Sequence, residues 1–313
     1  MKCKRTVLPL LGTAFEPGRL ADTLNEFEDE ELAEIAQAEA YFFSAQAEAC
    51  VKIVEKYLNS EDVILRMSAD MLYTFANLTL GDAMAAQMAR EDVHICLKKA
   101  LEDEIDLETQ ASCLFALYVI SVLIHIPPEK EVPLLSDYLR YLPEGQRLFA
   151  MNLLAHGAYL NQEYAKGQGM AQTAMMMAEK MYPIPFIYLN CVNAMCQINQ
   201  KDQEGARESV IRAWEIARQE PFIEHHGLLQ GVLEVWVKQR EPYVYKKMMD
   251  GVIAFSRGWM KIHNPEMQKA VTDLLTPVEF SIAMLACRDW TNQEIAEHMG
   301  LSVNTVKHYV STI

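Results

Sequence analysis

The chain lacks the sequence features that mark disulfide-rich, zinc-binding and nucleotide-binding proteins. Its 313 residues include seven cysteines, an odd number, and no two of them have CxxC spacing. This pattern predicts reduced thiols and argues against a structural zinc site. No GxxxxGK[ST] phosphate loop occurs in the sequence, so no nucleotide-binding motif is present. We therefore expect neither a cofactor nor a bound metal.

Basic residues and long apolar runs are also scarce. The 28 Lys and Arg residues are outnumbered by 43 Asp and Glu, which gives a net charge of −15. A basic footprint over the whole chain is excluded, so any contact with nucleic acid has to come from a local patch. The longest uncharged apolar run, 111–126, has 16 residues, whereas a membrane helix needs about 20. With no signal peptide recognisable, we expect a cytoplasmic protein without membrane contact.

Glycine and proline, at 13 and 12 residues, rarely interrupt a sequence rich in helix-forming residues. This composition predicts an all-α fold. A weak internal repeat supports it, in which two small residues ten positions apart flank a tight turn. The repeat occurs at Ala40 and Cys50 around Ala45, at Ala76 and Ala86 around Gly81, at Gly157 and Gly167 around Tyr164, and at Cys196 and Ala206 around Lys201.

Small residues on both sides of a turn allow two antiparallel helices to approach closely. The pattern resembles the tetratricopeptide repeat, whose period is about 34 residues; here the anchors lie 36 apart (40 to 76) and 39 apart (157 to 196). The resemblance implies that residues 1–254 form a helical-hairpin solenoid, in which each pair packs only against its neighbours. Its concave surface is the expected site for a small-molecule or peptide effector.

Four aromatic residues of the first two pairs are candidates for lining that concave surface. They are Tyr41, Phe42, Tyr73 and Phe75. The alternative, which we favour, is that they are core residues. Residues 255–274 contain glycine and proline breaks and are interpreted as a connector, which we expect to contact the segment after it through Trp259.

Residues 275–313 contain three helix starts that capping chemistry defines. Thr276 with Glu279, and Thr291 with Glu294, form two capping boxes, in which hydroxyl and carboxylate satisfy each other's backbone donors. Ser302 caps the third helix. Before it, Gly300 is suited to the left-handed conformation that ends a helix.

The third helix has two contrasting faces. Val303, Val306, Val310 and Ile313 form an apolar stripe that is predicted to face the first two helices. The opposite face carries the hydrogen-bonding side chains of Asn304, Lys307, His308 and Ser311. Two short helices joined by a glycine turn are the helix-turn-helix arrangement.

This segment is similar to the LuxR (GerE-type) helix-turn-helix family of bacterial transcription regulators. The resemblance rests on residues 275–277, 279, 291–292, 294–296, 301–302 and 305–307. It implies a DNA-binding domain in which bases are contacted by Lys307, His308 and Ser311, and the DNA backbone by Ser302, Asn304, Thr305 and Asn292. A solenoid before such a unit resembles the C-terminal part of MalT-like regulators. The resemblance implies that the solenoid senses an effector or partner and controls DNA binding.

Two features limit what we expect of this chain by itself. It stops at Ile313, where the family has a further helix that commonly supports dimerisation, so we expect an incomplete unit. Residues 275–313 also contain two cations against four carboxylates, whereas duplex affinity depends largely on cations near phosphates. We therefore expect weak or no binding to double-stranded DNA from this chain, and binding as a homodimer from a longer protein.

An interaction scaffold, whose solenoid binds a protein partner and whose terminal helices do not bind DNA, is the main alternative. Enzymatic activity is not expected, because the adjacent pair His225 and His226 beside Glu224 is accompanied by no serine elbow, HExxH motif or acid pair.

Overall fold

The computed structural model describes residues 5–103, 106–124, 126, 128, 131–228, 231–262, 269–288 and 290–313. These residues form helices and no β-strand, so the all-α prediction is confirmed. The α-helices are α1 (Leu20–Asn25), α2 (Glu30–Phe43), α3 (Ala47–Val54), α4 (Val63–Leu80), α5 (Ala83–Glu102), α6 (Leu107–Leu123), α7 (Leu135–Tyr138), α8 (Glu144–Leu160), α9 (Tyr164–Met177), α10 (Pro183–Asn199), α11 (Gln203–Ala217), α12 (Gly231–Arg240), α13 (Pro242–Trp259), α14 (Pro277–Ala286), α15 (Asn292–Met299) and α16 (Val303–Thr312).

The four predicted turns share one backbone conformation. Each contains a residue with positive φ, namely Ala45 (58°), Gly81 (86°), Gln162 (62°) and Lys201 (66°). In each, the amide of the next residue donates to the carbonyl five positions before it, which is the six-residue hydrogen bond of the Schellman helix end. The third turn lies at Gln162 instead of the predicted Tyr164, because Tyr164 is already the first residue of α9.

The helices on either side of these turns pack as hairpins, namely α2 with α3, α4 with α5, α8 with α9, and α10 with α11. Most of the small residues that predicted the hairpins are buried. At Gly167 an added Cβ would lie 2.9 Å from both the carbonyl oxygen of Ala155 and the Sγ of Cys196. Glycine therefore allows α8, α9 and α10 to approach closely at this point. Gly157 differs, since it is half-buried and has no atom within 4 Å of its Cβ position.

The long apolar run belongs to α6, a helix in the middle of the helical stack. Residues 111–117 are all buried, and α6 packs against α4, α5 and α8. This burial accounts for a helix that is apolar on every side. Within the described ranges, no helix combines the length and the apolar character that crossing a bilayer requires.

The expectation that each pair packs only against its neighbours is wrong. α13 packs along α4, although the two helices are separated by more than 160 residues. Gly258 of α13 lies against the backbone of Leu78, and the indole N–H of Trp259 donates to the carbonyl of Ile124. The late helices therefore return to the early ones, and the stack closes on itself.

The N-terminal segment, which precedes α1, reinforces this closure. The buried carboxylate of Glu39 accepts hydrogen bonds from the amides of Leu10 and Leu11 at 2.8 and 2.9 Å. The amide of Gly18 donates to the carboxylate of Glu220 at 2.6 Å. Glu220 lies just after α11 in the sequence. An irregular segment thus contacts both the first helices and the later ones.

The segment interpreted as a connector, 255–274, is partly helical. α13 continues to Trp259, and a short 3-10 turn covers Val271–Asp273. Residues 263–268 of this segment lie outside the described residues. Trp259 contacts Phe280 of α14, with ring centroids 6.3 Å apart, so the expected contact of Trp259 with the terminal helices is confirmed.

Candidate functional site

The three terminal helices begin where their capping residues predict. The Thr276 amide donates to Glu279 at 2.8 Å, and the hydroxyl of Thr276 accepts from the Glu279 amide at 3.3 Å. Thr291 and Glu294 repeat the arrangement at 2.8 and 3.2 Å. These reciprocal bonds satisfy backbone donors that a helix start otherwise leaves unpaired.

A tight turn joins α15 to α16. Gly300 has a φ of 66° and ends α15, and the amide of Leu301 donates to the carbonyl of Ala296 at 2.9 Å. The Ser302 hydroxyl then accepts from the Thr305 amide at 3.1 Å and starts α16. The predicted glycine turn and the predicted serine cap are both present.

The apolar stripe of α16 is buried only in its first half. Val306 is 0% exposed and belongs, with Ile282, Leu285 and Ile295, to the main hydrophobic core of the chain, but Val310 is 43% and Ile313 49% exposed. The prediction that the whole stripe faces α14 and α15 is therefore wrong. Val306 is the one buried residue of α16, so the short helices α14 and α15, with ten and eight residues, do not cover its last turn.

The face opposite Val306 is open to solvent. The predicted base-contacting residues Lys307, His308 and Ser311 are exposed, and so is Asn304. The hydroxyl of Ser311 donates to the carbonyl of His308 at 2.7 Å. None of these four side chains is covered by the rest of the described chain, so α16 presents a continuous polar surface.

The other predicted backbone-contacting residues lie close to the turn. Ser302 is exposed and Thr305 half-buried, and their hydroxyl oxygens are 2.7 Å apart. Asn292 is half-buried and stands on a different helix, as the first residue of α15. α16 thus brings six of the seven predicted residues together at its N-terminus or on its outer face, and Asn292 belongs to the neighbouring helix.

The terminal helices are attached to α12 and α13 by ion pairs and hydrogen bonds that the sequence did not indicate. Arg288 forms an ion pair with Glu234, which also accepts from the hydroxyl of Tyr245 at 3.0 Å. The indole N–H of Trp290 in turn donates to the Tyr245 oxygen at 2.9 Å. Burial and the neighbouring carboxylate of Glu234 raise the pKa of the Tyr245 phenol.

A second group of contacts lies nearby. Lys238 pairs with Glu294 at 2.9 Å, and Arg257 donates to the Ser281 hydroxyl at 3.0 Å. The backbone amide of Thr291 and the ammonium of Lys238 lower the pKa of Glu294 to about 2. Together these contacts fix one position of the terminal helices while leaving the outer face of α16 exposed.

Sequence reasoning missed Arg288 and Glu234 as functional candidates. Arg288 lies two residues after the end of the apolar α14, and its position near a helix end was the only local signal. Its partner lies 54 residues earlier in the chain. No short-range pattern connects the two residues.

A central cavity of about 410 Å³, partly open to solvent, lies between helices from both ends of the stack. Its walls are mostly aliphatic and aromatic, and they include two of the four aromatic candidates, Phe42 and Phe75. Phe42 is half-buried and Phe75 is buried. The core interpretation and the lining interpretation therefore both apply to Phe75, which is a core residue with one side on the cavity. Arg288 also lines it.

Five of the cysteines are buried in the helical stack. Cys50, Cys96, Cys113, Cys191 and Cys196 are buried free thiols, and burial raises the pKa of each. No group of three or more Cys, His, Asp or Glu side chains is placed to hold a metal ion within the part of the chain that the structure describes.

Comparison with protein-family models, with curated proteins and with solved structures finds no match for this chain.

Proposed function

We propose that this chain is the sensing and DNA-reading part of a bacterial transcription regulator, in which α15, the Gly300 turn and α16 form a LuxR-type helix-turn-helix. The single observation that carries the proposal is that α16 has one buried face and one exposed face. Val306 is fully buried, whereas Asn304, Lys307, His308 and Ser311 are exposed on the opposite face. A recognition helix needs this arrangement, because one face packs on its own domain while the other enters the major groove.

The exposed side chains match the chemistry of base edges and phosphates. Lys307 is a donor for the O6 and N7 acceptors of guanine, and His308 and Ser311 are further hydrogen-bonding groups on the same face. Ser302 and Thr305 lie at the N-terminus of α16, where hydroxyls, backbone amides and the helix dipole favour a phosphate. Lys307 is the one lysine in residues 275–313, so the affinity of a single copy for DNA is low.

The remaining helices supply the sensing domain of this proposal, a tetratricopeptide-like solenoid that closes on itself. α13 is its link to the terminal helices. Val252 and Phe255 of α13 line the central cavity, while Tyr245 and Arg257 of the same helix bond to Trp290 and Ser281. A change in the cavity that moves α13 therefore moves the surface on which the DNA-reading helices rest.

The test is a selection from random double-stranded DNA by the full chain. The chain is immobilised densely on beads at low salt, so that two copies engage one duplex and avidity compensates for weak single contacts. We expect a sequence motif to be enriched, and Lys307→Ala to lower affinity for it about tenfold, as loss of one base contact does. The matched control is Lys98→Ala, which removes an exposed lysine of α5 and leaves binding unchanged.

The alternative, an interaction scaffold without DNA binding, makes the opposite prediction. It requires that no motif is enriched above the background of empty beads. Enrichment that Lys307→Ala and Lys98→Ala weaken equally would also contradict the proposal, because it would reflect general charge attraction.

A further inference from the structure

The central cavity has the size and walls of a small-molecule site. Its volume of about 410 Å³ lies within the range of roughly 300–1,000 Å³ that is usual for such sites. Residues from α2, α4, α6, α8, α10 and α13 contribute to it. Because helices from both ends of the stack form the walls, a molecule in the cavity contacts early and late helices at once.

One wall is a row of aromatic rings. Phe255 stacks on Phe75 with centroids 6.2 Å apart and an interplanar angle of 22°. Phe75 lies 6.0 Å from Phe42, which meets His225 edge-on at 4.7 Å. Rings at these separations offer both faces and edges, to which a planar aromatic body packs favourably. The row therefore favours a flat apolar ligand.

The cavity also contains a single fixed charge. Among its described lining residues, Arg288 is the one that carries a permanent charge, and no Lys, Asp or Glu joins it. The ion pair with Glu234 involves Nη1 of Arg288, and a guanidinium has five N–H donors in a planar fork. The N–H donors that Glu234 leaves free can bond to an anionic group on a ligand, which then shares the guanidinium of Arg288 with the carboxylate of Glu234.

We propose that the central cavity binds a small planar aromatic molecule that carries one negatively charged group, a carboxylate or its equivalent. The aromatic body packs against Phe42, Phe75 and Phe255, and the anion bonds to Arg288. The ligand anion and Glu234 share the same guanidinium, so binding weakens the attachment of the terminal helices to α12. This inference rests on the sensing role proposed above and names the class of its effector.

The experiment is titration calorimetry of the full chain with two probes of the same shape, naphthalene-1-acetate and naphthalene-1-acetamide. No DNA is present, so the result is independent of whether α16 reads DNA. We expect one molecule of the acetate per chain and an affinity at least tenfold higher than that of the uncharged amide. Absence of saturable binding by both probes would overturn the proposal, and so would equal affinity for the two.

Variants locate the site. Glu234→Gln combined with Arg288→Gln keeps a neutral hydrogen-bonding pair, and we expect it to reduce acetate affinity to that of the amide while amide binding is unchanged. Val252→Trp fills the cavity and abolishes binding of both probes. Arg218→Gln, which removes an ion-paired surface arginine of the same kind, leaves both affinities unaltered. A persistent preference for acetate in the double variant, or unimpaired binding by a folded Val252→Trp chain, contradicts the assignment.

Discussion

Gly258 of α13 lies directly against the backbone of Leu78 in α4. An added Cβ at Gly258 would be 2.9 Å from the carbonyl carbon of Leu78 and would overlap its oxygen. The absence of a side chain therefore sets how closely α13 approaches α4. Since α13 also bears the terminal helices and lines the cavity, this contact positions both candidate sites.

Substitution of Gly258 by a larger residue pushes α13 away from α4. We expect Gly258→Ala to lower the free energy of unfolding by about 1–3 kcal/mol, as overpacking of a close contact does, because the methyl group meets backbone that cannot rotate away. Chemical denaturation measures this change. The control is Gly157→Ala in α8, where no atom lies within 4 Å of the Cβ position. There alanine stabilises the helix by about 0.5–1 kcal/mol, and equal effects at both sites would contradict the packing argument.

The pair Glu234 and Arg288 holds the terminal helices in place. We expect Glu234→Ala to lower stability by about 1–3 kcal/mol, because it leaves a half-buried guanidinium and the Tyr245 hydroxyl without their acceptor. Hydrogen exchange should become faster across residues 290–313. Glu215→Ala removes the carboxylate of an exposed pair with Arg218 and should change stability by less than about 0.5 kcal/mol. Unchanged exchange in the terminal helices of Glu234→Ala would show that the pair does not hold them.

A buried carboxyl in α4 makes stability depend on pH. Burial, together with the neighbouring Asp92, raises the pKa of Asp70 to about 9, far above the ~3.9 of an unfolded chain. Below pH 4 the group is protonated in both states. As pH rises from 4 towards 9, the unfolded chain loses the proton first, so this group lowers the free energy of unfolding by up to about 1.4 kcal/mol per pH unit.

Replacement of Asp70 by asparagine removes the ionisable carboxyl group and keeps an N–H donor towards Asp92. We expect Asp70→Asn to become progressively more stable than the unmodified chain as pH increases from 5 to 9, measured by urea denaturation at each pH. Asp92→Asn is the contrasting variant, because Arg66 holds the pKa of Asp92 below its usual value. It should be less stable at pH 7. A pH-independent difference for Asp70→Asn would contradict the raised pKa.

The capping box of α15 contributes to the stability of the terminal helices. Thr291→Ala removes the hydroxyl that accepts from the Glu294 amide, and loss of such a cap costs about 1 kcal/mol. We expect faster hydrogen exchange in the first turn of α15. Thr312→Ala removes an exposed hydroxyl near the end of α16 and should leave exchange in α15 unchanged. If both variants behave alike, the cap does not determine where α15 begins.

Several features of the fold could be predicted from the sequence because their causes lie within a few residues. The hydroxyl of a helix cap accepts a hydrogen bond from the amide three residues later, so Thr276, Thr291 and Ser302 marked the starts of their helices correctly. The turns at Ala45, Gly81 and Lys201 were likewise recognisable, because a helix end is closed by hydrogen bonds within one turn. The predicted polar face of α16 follows from helical periodicity, and its exposure agrees with that prediction.

Other features depended on contacts between residues far apart in the chain. The packing of Gly258 on Leu78 leaves no periodic pattern, and the closed stack replaces the open arrangement that the repeat predicted. The exposure of Val310 and Ile313 was also not predictable, since an apolar stripe shows that a face can be buried but not how far its partners reach.

The sequence by itself determined that the chain is helical, where most of its turns lie and which side chains α16 presents, because these follow from local hydrogen bonding and periodicity. Only the tertiary structure decided that α13 returns to α4, that aromatic rings line the cavity between the helices, and that Arg288 connects this cavity with the terminal helices. Such contacts depend on how whole helices pack, and packing is determined by shape and burial over the entire chain.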